Sequence, residues 1–368
     1  MKQHASGYML VVTLMLIGLA MLIVTGVVYR SGIHVTTMHV ELTQEKARLL
    51  ALSGLELARC RLANPLTSEN KKQQPTSPQQ AASTGKSSAA DQRQAAANLI
   101  GMIMPQVDSW QTFAITETQK TEYGTIKICI GCEEGKVNLN QLYDFTKHEF
   151  LKTTDPQNSP KALVEQLCTI LDREMGTKKL FEKIEAFLKE RTYPLNDITE
   201  LCAIKEIASA FGQNLFLEPH DTKASDKPQD SKQARLYLSD VFTTWSKDKM
   251  LQPWLFSSSL KRILGFRPFG KEQENALKTS LEKMTLQANW TQQWNQLLAP
   301  IYGKDFSSLS PALTPLLSTK FEPMVFSVVS YGSIKNVTQK LYAIVERKQA
   351  PPSDGPAYEI IVRRLYWL

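Results

Sequence analysis

Five cysteines are the residues of this chain whose spacing comes nearest to a reactive site. Cys129 and Cys132 have the C-x-x-C spacing of a redox pair or of half a zinc site. No second pair follows, and this one lies in a strand-like stretch instead of at a helix N-terminus, where a thiolate is favoured. We therefore favour structural thiols, or a disulfide that joins Cys168 to Cys202 across two predicted helices, over catalysis or metal binding.

The other residue types that catalyse reactions do not converge in this sequence. The chain has no HExxH, no GxSxG and no phosphate-binding glycine loop. Lys and Arg residues give a net charge of +7, but they are dispersed among acids and form no dense run beside aromatic residues. We predict neither an enzyme nor a nucleic-acid partner. The five histidines are isolated from one another: His4, His34, His39, His148 and His220.

The element around which the chain is organised is an uncharged apolar run over residues 8–29. As a helix with about 1.5 Å of rise per residue, this run spans the roughly 30 Å of a bilayer core. The apolar run stops at Arg30, and about one apolar residue per turn continues to Leu62. The pattern predicts one long helix, 8–63, which crosses a membrane and then becomes amphipathic.

The seven residues before the run are short and basic and end in Gly7, which precedes Tyr8. A secretory signal peptide would have a shorter apolar core followed by a cleavage site with small residues. An ordinary single-pass anchor fits the hydropathy equally well, because hydropathy does not detect a leader. The junction between Gly7 and Tyr8 has the appearance of a processing site.

At this junction the chain resembles the type IV pilin-like proteins, and in particular the general secretion pathway protein K family, the minor pseudopilins of type II secretion. The resemblance implies that a prepilin peptidase cuts between Gly7 and Tyr8. Most pilins have Glu five residues after the cut, whereas this chain has Val12. Absence of that Glu is itself a feature of the K-type family.

A second resemblance to the same family follows the predicted strands 110–117 and 123–130. Its members have a similar acidic-Gly-Lys-Ile-Asn-Leu-Asn-x-Leu stretch where the sheet gives way to an inserted helical domain. The physical content of this motif is a turn at the glycine and a helix start near its last asparagine, a residue suited to capping. The corresponding residues are Gly135, Lys136, Val137, Asn138, Leu139 and Asn140.

The rest of the chain is predicted as helices followed by strands. Apolar periodicity predicts helices over 162–175, 179–191 and 198–211, with Asp197 and Glu200 in a capping-box arrangement. Residues 236–245 are strand-like, a helix follows near 259–265, and strands follow at 324–330, 340–347 and 357–366. The predicted organisation is a leader 1–7, a long helix 8–63 with a transmembrane part 8–29, a flexible linker 64–97, the first part of a sheet 98–140, an inserted domain of two helical units 141–320 with a loop near 218–233, and last strands 321–368.

The expected fold class is therefore α+β, a pilin-like long helix packed on an antiparallel sheet with a large inserted helical domain. The resemblance implies a structural subunit at the tip of the type II secretion pseudopilus, anchored in the inner membrane with its body in the periplasm. It also implies three partners: other minor pseudopilins, the prepilin peptidase and the inner-membrane secretion platform. The alternatives are a minor pilin of a type IV pilus or DNA-uptake system, or a membrane-anchored periplasmic thiol protein or enzyme.

The residues themselves predict no cofactor. Some relatives in the family bind calcium in the helical domain through grouped acidic oxygens, as this cation requires. The resemblance makes calcium a candidate, but Asp155, Asp172 and Asp197 are too far apart in the sequence to be assigned as ligands.

Overall fold

The computed structural model describes residues 5–63, 103, 106–116, 122–212, 214–219, 235–267, 276, 279–280, 290–318, 321–349 and 358–368. Residues 1–4 of the predicted leader, the predicted linker 64–97 and most of the predicted loop 218–233 lie outside these ranges.

The first element is a helix, α1, that runs without a break over Ala5–Ala63, 59 residues. The predicted helix 8–63 is therefore found, with a start three residues earlier. Its C-terminal part buries a stripe of mostly small residues with a spacing of three or four: Ala47, Ala51, Leu55, Ala58 and Leu62. Because residues at this spacing share one face of a helix, the stripe packs against the rest of the protein while the opposite face stays exposed.

Five described strands form an antiparallel sheet in the order β1-β2-β7-β8-β9. The first two strands follow α1 in sequence, and the other three end the chain, in agreement with the five predicted strands. Alternating Val, Ile and Tyr residues explain why these segments are extended. The strands are β1, Trp110–Thr116; β2, Glu122–Cys132; β7, Val325–Ile334; β8, Val337–Gln349; and β9, Tyr358–Trp367.

The sheet presents a different set of side chains to each of its two faces, since successive residues of a strand point to opposite sides. One face packs on α1 through Ile128, Ile130, Phe326 and Val328. Here Gly332 lies so close to α1 that a Cβ atom on it would overlap the backbone of Ala47 and Ala51. The sheet and the helix therefore approach each other at backbone distance.

The inserted elements lie in sequence between β2 and β7. The helices with described bounds in this part of the chain are α2, Leu139–Leu142; α3, Pro160–Met175; α4, Leu180–Lys189; α5, Lys205–Phe211; α6, Leu238–Val241; α7, Ser258–Ile263; α8, Trp290–Gln293; and α9, Ala299–Tyr302. A π-helical turn, Trp294–Leu298, links the last two, and short 3-10 turns occur at Glu133–Gly135, Pro156–Asn158, Ile198–Ala203, Pro253–Leu255, Phe306–Ser308 and Thr314–Leu316. Two-residue strands pair as β3, Val137–Asn138, with β6, Phe242–Thr243, and as β4, Tyr143–Asp144, with β5, Glu149–Phe150.

Loop residues of the insertion lie on the outer face of the sheet, opposite α1. Phe216 packs on Tyr342 with ring centroids 4.3 Å apart. Asp197 accepts a hydrogen bond from the indole N–H of Trp245, which packs on this face of the sheet. Loop residues of the insertion therefore cover part of this face, while the buried side chains of its helices belong to the same core as the stripe of α1.

Two details of the inserted elements differ from the sequence predictions. The predicted helix 198–211 is two pieces, because Ile204 adopts an extended backbone between the 3-10 turn and α5. The strand-like interpretation of 236–245 is wrong for its centre, where residues 238–241 form α6 and only Phe242–Thr243 is a strand. Residues 236–243 are all buried, so at this segment tertiary contacts outweigh local strand propensity. The predicted α+β fold class is confirmed.

Replacing Gly332 by Ala tests the close approach of α1 and the sheet. The added methyl group must push the helix and β7 apart, so we expect a loss of about 1–3 kcal/mol in the free energy of unfolding. Denaturant unfolding of the full chain in detergent measures it. The control is Gly26→Ala, since Gly26 has no atom near its missing Cβ; equal stability of the two variants would contradict the packing described.

Candidate functional site: an apolar helix and a polar neck

The N-terminal part of α1 exposes apolar side chains on all sides. Within the described residues α1 is long and apolar enough to span a membrane, and its most apolar stretch is not buried at all by the rest of the protein. Leu22 and Tyr29, for example, are each 73% exposed. A helix that is apolar all round belongs in lipid or among other helices.

The residues predicted for processing lie at the start of this apolar part. Gly7 and Tyr8 belong to the first turns of α1, and Val12 follows one turn later with its side chain partly exposed. Cleavage between Gly7 and Tyr8 stays a prediction. Position 12 presents a methyl-bearing side chain, with no carboxylate, to whatever packs on the helix.

The apolar exposure continues beyond the part that could cross a membrane. Five residues between this part and the sheet are each at least 45% exposed: Ile33, Val35, Met38, Val40 and Leu42. An exposed apolar surface of this kind marks an interaction site. It lies between the end of the apolar run and the stripe that packs on the sheet.

The position of α1 on the sheet is fixed at both sheet edges. The guanidinium groups of Arg48 and Arg61 lie over the rings of Trp367 on β9 and Phe113 on β1, at 4.6 Å and 4.9 Å. Arg59 donates a hydrogen bond to the carbonyl oxygen of Ile360. These contacts prevent rotation of the helix about its own axis, because both sides of the helix are held.

The motif that resembles the protein K family forms the neck where the chain leaves β2 and enters the insertion. We define the neck as residues 133–140. Its strand β3 pairs in parallel with β6, and a Cβ atom on Gly135 would overlap the carbonyl oxygen of Leu255. The glycine of the motif is therefore explained by backbone contact with the insertion.

Lys136 and Glu133 form a buried ion pair within the neck. The Lys136 Nζ atom lies 2.5 Å from Glu133 Oε1 and 3.0 Å from Ser327 Oγ on β7, and Thr243 donates its hydroxyl to the other oxygen of Glu133. Burial alone would lower the pKa of Lys136, but the carboxylates around it outweigh burial and raise this pKa. The pair joins the neck to the sheet and to β6.

The two asparagines of the motif satisfy backbone groups at the neck. Asn138 caps α2 by accepting hydrogen bonds from the N–H groups of Asn140 and Gln141, and it donates to the carbonyl oxygen of Ser246. Asn140 exchanges two hydrogen bonds with the backbone of Leu195. The capping residue is thus Asn138, where the sequence indicated Asn140; Asn140 instead connects the two parts of the insertion.

The cysteines do not form a reactive site. Cys129 and Cys132 are three residues apart on β2 and therefore point to opposite faces of the sheet. Burial raises the pKa of both thiols well above its usual value, which favours the unreactive thiol form. The sequence left structural thiols or a disulfide open for Cys168 and Cys202, and the structure has both as free thiols, Cys168 buried and Cys202 partly exposed.

The three aspartates considered as calcium ligands are held in separate turns of the structure. Asp155 and Asp197 accept hydrogen bonds from backbone N–H groups at turn starts, and Asp172 accepts from Thr177 and from the N–H of Leu180. Each carboxylate is occupied by its own turn. In the described part of the chain no three His, Cys, Asp or Glu residues are grouped so that they could hold a metal ion.

Several partners in the neck were not evident from the sequence. Thr243 and Ser327 are ordinary polar residues 107 and 191 positions from Lys136, so only the folded chain brings them together. Asp108, just before β1, pairs with Lys261 of α7 at 3.3 Å, and burial raises the pKa of Asp108 to about 6. The feature of the sequence that could have indicated a buried ion pair in the neck was the acidic residue at the start of the motif.

Replacing Lys136 by Met tests the ion pair. The substitution leaves the Glu133 carboxylate buried without its cation, so we expect a loss of about 3–5 kcal/mol in the free energy of unfolding. The double variant Lys136→Met with Glu133→Gln removes that unpaired charge and should recover most of the loss. Denaturant unfolding of the three variants gives the coupling energy.

The matched control is Lys152→Met. Glu149 and Lys152 have the same spacing and a 2.7 Å contact, but both are exposed, so the loss should stay below about 1 kcal/mol. Losses that simply add in the double variant would contradict a direct interaction between Lys136 and Glu133.

Comparisons with known proteins give one informative result. No protein-family model and no curated protein matches this chain. The structure is similar to a chain in the crystal structure of the GspK-GspI-GspJ complex from the enterotoxigenic Escherichia coli Type 2 Secretion System, with 13% identity, a TM-score of 0.46, and coverage of 90% of this chain and 99% of that chain. Similarity at this level supports no statement about function by itself.

Proposed function

We propose that this protein is a membrane-anchored structural subunit, a K-type minor pseudopilin that takes part in type II secretion. The observation that carries the proposal is the continuity of α1. One helix has an exposed apolar half suited to lipid or to other helices and a second half packed on the sheet. This arrangement suits a subunit that moves from a membrane into a helical bundle.

The mechanism is assembly. Apolar helices leave lipid and pack against the helices of other subunits through dispersion contacts and close packing of small residues. In the membrane-spanning part of α1, Gly18 and Gly26 have no atom of this chain near their missing Cβ atoms. A neighbouring helix can therefore approach the backbone at these two positions.

The place of the subunit is the tip of the pseudopilus, with other minor pseudopilins as partners. In pilin-like proteins in general, the Glu that this chain lacks neutralises the N-terminal amine of a neighbouring subunit. Val12 offers no such charge, which suits a subunit with no other subunit above it. The large insertion adds bulk that also suits a terminal position.

The anchor lies in the inner membrane and the body in the periplasm in this proposal. The prepilin peptidase and the inner-membrane secretion platform are the further partners. The role is structural and supports the export of folded proteins across the outer membrane.

The experiment that tests the proposal is the identification of the N-terminal residue and mass of the protein recovered from membranes. In cells with a prepilin peptidase we expect Tyr8 as the first residue, because the peptidase cuts after the glycine of a basic leader. Without the peptidase the chain should keep its leader. A Gly7→Leu variant should stay uncut in both.

The control is Gly18→Ala, which changes a glycine within the span and should be processed normally. A chain that keeps Met1 in cells with an active peptidase, or one that is cut beyond Tyr29, would refute the pseudopilin proposal and leave an anchored or secreted protein.

A further inference from the structure

Glu134 lies where the outgoing and returning connections of the insertion meet. Its side-chain Oε1 atom accepts hydrogen bonds from the N–H groups of Met324 and Val325, at 3.2 Å and 3.0 Å, where the chain returns into β7. Its backbone carbonyl accepts from the N–H of Gln252 in the insertion. Both side-chain groups of Gln252 in turn bond to the backbone of Glu322. One buried carboxyl thus connects β2, the insertion and β7.

This carboxyl is 4% exposed and has no ion pair with a basic residue in the described part of the chain. The neighbouring cations are engaged elsewhere. Lys136 bonds to Glu133 and Ser327, and the guanidinium of Arg347, whose backbone N–H bonds to Met324, lies 3.5 Å from the centre of the Tyr358 ring.

The charged groups on the neighbouring strand β8 are also engaged elsewhere. Glu346, which is paired with Val325 across the sheet, bonds to Lys247 and Arg363. A buried carboxylate without a countercharge is costly, so protonation relieves the cost.

The thiol of Cys132 lets the site accept a proton without losing hydrogen bonds. Its Sγ atom is 3.0 Å from Glu134 Oε2 and 3.7 Å from the carbonyl oxygen of Val325. When Glu134 is ionised, the thiol donates its proton to the carboxylate. When Glu134 is protonated, the carboxyl O–H donates to the sulfur, and the thiol proton turns to Val325. The two N–H bonds to Oε1 are kept in both states.

We propose that Glu134 is a proton-operated clamp, which holds the two connections of the insertion together more firmly when it is protonated. The inference goes beyond the proposed function, because it concerns the body of the protein alone. The carboxyl binds its proton more tightly in the closed neck than in an opened one exposed to water. The stiffness of the joint between insertion and sheet therefore follows the pH of the compartment.

The sign of the effect follows from the two protonation equilibria. Burial raises the pKa of Glu134 from its ordinary value of 4.5 to about 7, although its hydrogen bonds oppose the shift. The protection of the closed neck by the bound proton is therefore complete below pH 4.5, the ordinary pKa of the carboxyl. It is lost as the pH rises through about 7, the raised pKa. From these two pKa values, local opening should increase roughly 70-fold between pH 5 and pH 8.

Hydrogen exchange of the full chain in detergent tests the clamp. The reporter is the peptide that contains the N–H groups of Met324 and Val325, measured between pH 5 and pH 8 and corrected for the intrinsic rate. In the natural chain the protection of this peptide should fall roughly 70-fold from pH 5 to pH 8. In Glu134→Gln, which keeps both acceptor bonds and cannot ionise, the protection should not change with pH.

Asp108→Asn is the matched control, since Asp108 is the other carboxyl described here with a raised pKa and does not touch Met324 or Val325. This variant should retain the pH dependence of the reporter. If Glu134→Gln does not fold, infrared spectra of the Asp108→Asn variant at pH 5 and pH 8 replace the exchange experiment on Glu134→Gln. The spectra should show the band of the protonated Glu134 carboxyl at pH 5 and its loss at pH 8. Constant protection of the natural chain, a pH dependence that survives in Glu134→Gln, or absence of the carboxyl band would overturn the proposal.

Discussion

The constraint on which the rest of the structure depends is that one helix has two different surroundings. The first half of α1 is apolar on every side and is left uncovered, while the second half must bury a single stripe against a sheet. Small residues in the stripe let the helix approach the sheet at backbone distance, as Gly332 shows against Ala47 and Ala51. This close contact fixes the direction in which the apolar half projects from the body.

The sheet then has to be stabilised on its other face, and loop residues of the insertion cover part of that face. An insertion attached through two connections could change its orientation relative to the sheet unless both connections were held. The neck holds them with desolvated polar groups: Lys136 with Glu133, Asn138 at the cap of α2, and Glu134 at the start of β7. Such groups add little net stability but tolerate few alternative arrangements, because any misplaced partner leaves a buried charge unpaired. The insertion is therefore held in one orientation relative to α1.

The sequence predicted those features that depend on local pattern. The length and apolar character of α1, the positions of the five sheet strands and the helices α3 and α4 all follow from periodicity over ten or more residues. The glycine and asparagines of the neck were also identified from their motif, although the capping role belongs to Asn138 and not to Asn140.

The remaining features depend on contacts between distant residues, which periodicity does not contain. The two-residue strands β3 and β6 exist because they pair across more than 100 positions, and α6 replaces a predicted strand in a buried segment. The sequence left open whether Cys168 and Cys202 are thiols or a disulfide, because helix spacing does not report which face of a helix carries the thiol; both are free thiols in the structure. The clamp at Glu134 was not visible for the same reason, since Met324 is 190 residues away.

The central claim is that the uncovered half of α1 exchanges lipid for the helices of other subunits. Site-specific photo-crosslinking from positions 16 and 42, on the exposed surface of α1, tests it most directly in cells that carry the secretion machinery. We expect crosslinks to other pilin-like subunits that disappear when the inner-membrane platform is removed, and none from position 51 on the buried stripe. Crosslinks only to lipid, with or without the platform, would contradict the account.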